Sequence, residues 1–168
     1  MLTEAIRLTL FPALMAFAAT SDLFTMTISN RVSLALTAGF FVLAWGSGMG
    51  VAAAGAHVGA GLLMLVLCFV CFARGWIGGG DAKLAASTAL WLGFDQLLAF
   101  LLCASVLGGL LTLLVLRFRI SPLPRVLAGE EWVLRLHRMD AGVPYGIALA
   151  SAALLVYPDT VWMKTLGM

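Results

Sequence analysis

Charge is what this sequence has least of. Only 11% of its 168 residues are Asp, Glu, Lys or Arg, and the net charge is +2, whereas an ordinary globular domain carries about a quarter charged residues. Disorder is excluded, because it needs high net charge and few apolar groups. Nucleic acid is disfavoured as a partner, because so small a net charge does not suggest a polyanion. Cysteine is scarce as well. Cys68, Cys71 and Cys103 all lie in apolar runs, an odd set that implies no disulfide framework and reads as small packing groups. Cys68 and Cys71 would share a helix face, but two thiols are too few for a metal site. No metal and no cofactor is expected.

What the chain has in abundance is apolar residues, at 62%, with a mean hydropathy of +1.07. Lipid is therefore its expected solvent and partner. A spanning helix needs about 17–25 residues to cross a hydrocarbon core of about 30 Å. Six candidate segments appear, near residues 5–23, 32–45, 51–73, 77–93, 97–116 and 143–161. The second is short, and the fourth puts Gly78 to Gly80 at membrane depth. The expected fold is all-α, a polytopic bundle of about six transmembrane helices forming one domain over residues 1–168, without a separate soluble domain. Ala16-Phe17-Ala18 resembles a signal cleavage site, but Glu4 beside Arg7 in place of a basic front end favours a retained span.

Lys and Arg in short loops set orientation. With the amino terminus outside, Arg31, Arg74, Lys83, Arg117, Arg119, Arg125, Arg135 and Arg138 fall on or near the cytoplasmic side, and Arg7 and Lys164 fall opposite. The main cytoplasmic feature is then the loop at 117–142. Within it Trp132, Val133, Leu136 and Met139 recur at helical spacing, which predicts an amphipathic helix in the membrane interface. Trp45, Trp76, Trp91 and Trp162 fall near span ends, where interfacial aromatics gather.

Carboxylates inside spans are costly enough to invite a functional reading. Asp22 lies near the cytoplasmic end of the first span and Asp81 at the cytoplasmic start of the fourth. The first span runs inward and the fourth outward, so both carboxyls reach the same level. Two facing carboxyls in a partly dry site share a proton and titrate as a unit. One can take a proton from water while the other polarises a scissile carbonyl. No Ser-His or Cys-His pair competes, since His57 is expected in an outer loop and His137 in the polar loop.

Gly75, Gly78, Gly79 and Gly80 crowd the approach to Asp81, each weakening a helix by about 1 kcal/mol. They predict a loosened, strand-like segment able to pair with an extended substrate. The plainer alternative makes Asp81 the cap of a helix beginning at Ala82. Asp95 and Asp140 read as turn and loop residues, and Pro144 as the first turn of the last span.

These residues together resemble the type IV prepilin peptidases. Gly78-Gly79-Gly80-Asp81 fits the GxGD signature of intramembrane aspartyl proteases, and Ala82-Lys83-Leu84 extends it to the GGGDxKL form. Asp22 to Asn30 is similar to that family's first motif, an Asp followed by Ile-Pro-Asn, with Ser29 where the motif has proline. Val143-Pro144-Tyr145-Gly146 looks like the PYG segment of the short members that process Flp pilins of tight-adherence systems. The resemblance implies leader-peptide cleavage of prepilins or pseudopilins at the cytoplasmic face of a bacterial inner membrane. Asp22 and Asp81 are the implied catalytic pair, and Gly78, Gly79, Gly80, Lys83 and Asn30 the implied substrate-binding set. Longer members carry a cysteine-rich zinc segment and also methylate the new pilin terminus. Neither that segment nor a methyl-donor pocket is visible here, so the expectation stops at cleavage. Two other classes fit two buried acids and a glycine-rich bundle: a proton- or ion-coupled transporter subunit, and a noncatalytic assembly subunit.

Overall fold

The computed structural model describes residues 2–124 and 126–164. Arg125, one of the expected cytoplasmic cations, lies outside the described residues. Those residues form helices and no strand: α1 (Leu2–Thr25), α2 (Asn30–Gly46), α3 (Val51–Ala73), α4 (Gly79–Ile120), α5 (Glu131–His137), α6 (Tyr145–Val156) and α7 (Val161–Lys164), with a 3-10 turn at Tyr157–Asp159. Three helices are long and apolar enough to cross a membrane: α1 over Ile6–Thr25, α3 and α4. The periodicity that builds them is plain in their inner faces. Phe11, Met15 and Ala18 of α1 and Val32, Leu36, Phe40 and Leu43 of α2 are buried at steps of three and four, while Val66, Phe69, Leu102, Val106 and Leu113 stay exposed on outer faces. So much large apolar surface turned outward is what lipid, not water, accommodates.

The 42 residues of α4 would reach about 63 Å if straight, twice the hydrocarbon thickness. The helix instead breaks at Gly93, whose φ of 66° and ψ of −177° belong to a region open essentially to glycine alone. The two legs, 79–92 and 94–120, run in opposite directions. Gly80 at the start of the first packs on Ile28, just after α1. In the second leg, the Ala104 carbonyl accepts from the Tyr145 hydroxyl (3.2 Å), and Arg119 near its end donates to the carbonyls of Leu136 (2.9 Å) and Gly142 (2.6 Å). Both legs therefore have their free ends where α1 finishes. The fourth and fifth expected segments are thus the two arms of one broken helix.

The break is held by side chains placed elsewhere by the sequence pattern. His57 is not in an outer loop: it is a buried residue of α3, 8% exposed. Its Nδ1 lies 2.9 Å from the Leu90 carbonyl, and because a carbonyl has no proton, the ring nitrogen donates. An unpartnered imidazole would be costly at this depth, so that bond is what admits a histidine to an apolar helix. Trp162 Nε1 donates to the Trp91 carbonyl and Trp91 Nε1 to the Leu36 carbonyl, both at 2.8 Å. Trp91 and Trp162 are therefore core residues rather than interfacial ones. Only Trp45 and Trp76, 91% and 67% exposed, match the interfacial expectation. Phe11 stacks on Tyr157 at 4.4 Å beside them, and the Tyr157 hydroxyl donates to the Arg7 carbonyl.

The polar loop does contain a helix, but α5 ends at His137. Val133 is buried and Trp132 and Leu136 are half-buried, whereas Met139, expected on the same face, is exposed beyond the helix end. The reason is local. Arg138 turns to extended backbone (ψ 134°) and pairs bidentately with Asp140, which closes a turn instead of another helical one.

Candidate active site

Asp22 sits in the last turn of α1 and is only 5% exposed. Its Oδ2 accepts the Gly146 amide at 2.7 Å. Helix α6 starts after Pro144, which offers no capping side chain, so its first amides need a partner from elsewhere. A carboxylate at the positive end of a helix is a favourable one. Gly146 is where the two elements meet. A Cβ there would stand 2.8 Å from Asp22 Oδ2 and 2.7 Å from Ile28 Cδ1, closer than real side-chain contacts permit.

Asp81 occupies the third position of α4, and its Oδ2 lies close to Gly78, the residue before the helix, where an added Cβ would stand 2.9 Å from it. The helix begins at Gly79, not at Ala82, so Asp81 lies inside the first turn rather than capping from before it. The loosened segment expected over Gly75 to Gly80 is confined to residues before Gly79, with Gly78 itself extended (φ −72°, ψ 146°). Gly80 is helical because its missing side chain makes room for Ile28, whose Cβ would lie 3.1 Å from an added Cβ.

Ile28, just after α1, thus packs between Gly80 at the start of α4 and Gly146 at the start of α6, so the end of α1 that carries Asp22 meets the start of α4 that carries Asp81. Both acids lie at the same end of the bundle, Asp22 on the Gly146 amide at the start of α6 and Asp81 in the first turn of α4.

The remaining motif residues pair with one another. Lys83 Nζ donates to Asn30 Oδ1 at 2.8 Å across 53 positions of sequence, joining the first turns of α2 and α4. Ser29 is the N-cap of α2, its hydroxyl accepting from the Arg31 amide, so the serine found where the motif has proline starts the helix by a different means. Over the site end, Arg135 of α5 donates to the Phe24 carbonyl at 2.8 Å, and Trp132 meets Phe24 edge-on at 5.3 Å. A cation on the last carbonyls of α1 stabilises that terminus, two residues beyond Asp22. Arg119, 8% exposed, ties the end of α5 and the segment that follows it to the second leg of α4. Asp140 is engaged by Arg138, whose guanidinium holds its carboxyl below the usual range.

Gly146, Arg119 and Arg135 are site-end residues to which pattern reading assigned no role in the site. Gly146 acts through its backbone amide and its lack of a side chain, and only its place in the Pro-Tyr-Gly triplet marks it. The two arginines act through carbonyls, which every residue has. Chemically, two interacting carboxyls at one level can accept and return a proton while holding a polar substrate group.

No curated protein and no solved structure matches the chain. The model of the type IV leader peptidase family matches residues 9–113, well over half of the chain and a range that includes Asp22, Asn30, the Gly78 to Asp81 run and Lys83. The chain belongs to the type IV leader peptidase family.

Proposed function

We propose that this protein is a membrane-embedded aspartyl endopeptidase that removes the leader peptide of Flp-like prepilins at the cytoplasmic face of a bacterial inner membrane. The observation that carries the reading is the meeting, at one end of the bundle, of the α1 terminus that carries Asp22 and the α4 start that carries Asp81, packed through Ile28. In the proposed reaction the ionised carboxyl takes a proton from water, and the water oxygen forms a bond to the scissile carbonyl carbon. The protonated carboxyl donates to the carbonyl oxygen as charge develops there. The tetrahedral species collapses, the C–N bond breaks and its electron pair leaves with the amine, which receives the proton. One carboxyl ends ionised and one protonated, as they began.

The extended backbone at Gly78 is the proposed docking edge for the substrate strand, with Gly79 and Gly80 setting its distance from Asp81. Lys83, oriented by Asn30, is proposed to meet an acidic residue near the start of the pilin. The cations Arg31, Arg74, Lys83, Arg117, Arg119, Arg135 and Arg138 belong to the same end of the bundle as the acids, and Arg7 and Lys164 to the other, which supports a cytoplasmic site.

Purified protein incubated with candidate prepilins, with the cut located by mass spectrometry, tests the reading. Asp22→Asn and Asp81→Asn should each lower kcat/KM by roughly 10²–10⁴-fold with the fold retained. Full cleavage by either variant overturns the mechanism. Loss of proton or ion flux with no peptide cut would assign the acids to transport.

A further inference from the structure

Beside the acids, α2 and α3 stand apart. Consecutive in sequence, they pack mainly on α4 rather than on each other. The space between them is a lipid-facing groove of about 500 Å³ floored by the first leg of α4. It begins at Lys83 and Asn30, with Lys83 two residues along α4 from Asp81, and follows α2 out to Phe41, a length of about 16 Å at helical rise. Leu34 and Leu62 form open rims, 68% and 57% exposed.

We propose that this groove seats the apolar transmembrane helix of the peptide substrate, delivering the residues before that helix to the acids. The inference rests on the leader-peptidase reading. Two observations favour a peptide helix over a lipid chain. Ser33, Thr37 and Ser87 line an otherwise apolar wall, and the Ser33 hydroxyl is buried without a partner among the described residues. An acyl chain leaves that hydroxyl unpaired, whereas a helix bearing small polar side chains satisfies it. Finally, the groove is continuous with the Lys83–Asn30 pair, so a helix lying in it enters the site end directly.

The test compares two substrates in vesicles: a prepilin with its apolar helix, and a soluble peptide holding only the leader and the cut site. Thr37→Trp and Leu62→Trp fill the groove. Each should raise the ratio of KM for the helix-bearing substrate to KM for the soluble one by about tenfold, equivalent to about 1.4 kcal/mol. Val106→Trp, on the lipid-facing second leg of α4 and 70% exposed, should leave the ratio unchanged. A photo-crosslinking benzoylphenylalanine at position 37 of an Asp81→Asn chain should capture the prepilin helix, and the same group at 106 should not. The crosslink decides the matter if a tryptophan variant fails to fold. An unmoved ratio, or crosslinks to lipid alone, overturns the groove assignment while cleavage by the unaltered chain preserves the peptidase reading. An unaltered chain that cuts neither substrate overturns both.

Discussion

At the scale of single residues, the proposed site depends on what is missing as much as on its acids. Gly146 lets Asp22 reach the amide that starts α6. Gly146→Ala would force the carboxyl and Ile28 aside. On the proposed mechanism it lowers kcat by up to about 100-fold, the cost of a misplacement near 1 Å, while KM for prepilin changes little. Steady-state cleavage kinetics read the split. The Lys83–Asn30 bond is exposed and so is worth about 0.5 kcal/mol. A double-mutant cycle with Asn30→Ala and Lys83→Met, followed by thermal unfolding, should return a coupling of that size. Asp140 offers a pH prediction away from the membrane. Arg138 depresses its carboxyl, so the pair's stabilisation is present above the ordinary Asp range and is lost as pH falls through the lower folded value. Carboxyl-carbon NMR should find Asp140 titrating below the usual range, and Arg138→Gln should bring it back.

Among the elements, the broken helix α4 decides the geometry, because its reversal returns the chain to the site end. Gly93→Ala would place a side chain in a glycine-only conformation, with its Cβ 2.9 Å from His57 Cε1. A loss of about 1–3 kcal/mol follows, seen as a lower Tm in detergent by tryptophan fluorescence. His57→Ala removes the donor to Leu90 and should lower Tm as well, without acting on the chemistry directly. Helix existence was legible from apolar run lengths: α1 and α3 fall where hydropathy puts them. The fold-back was also legible, since Gly93 and a polar Asp95-Gln96 pair interrupt the run. What holds the break was not legible. Trp91, Trp162 and His57 look like surface residues at span ends, and only their carbonyl partners from other helices make burial affordable.

For the whole molecule, the separation of cations is the property that pattern reading and structure share. With the acids toward the cytoplasm, a cysteine placed at Ser47, between α2 and α3, should react with a membrane-impermeant maleimide from outside intact cells. One at Glu130 should react only after permeabilisation. The reverse result places the acids at the opposite face and removes the proposed reaction from the cytoplasm. The loop around α5 belongs to this scale too. Its amphipathic pattern predicts a surface helix, and Arg135, Trp132 and Arg119 dock it onto the ends of α1 and α4, at the end of the bundle that carries the acids.

Composition alone determined that the chain lives in lipid, because too few charges remain to hydrate its surface. The place of Asp22 and Asp81 within apolar runs marked the acids, because carboxylates at that depth demand an explanation, whereas Asn30 and Lys83 were marked only by the family resemblance. Tertiary structure alone decided which groups meet. The Gly146 amide on Asp22, the wedge of Ile28 between two glycines and the arginine bonds over the site all use backbone groups or absent side chains. Those are features every peptide unit or glycine has, and nothing local distinguishes the ones that will be used until distant helices pack together.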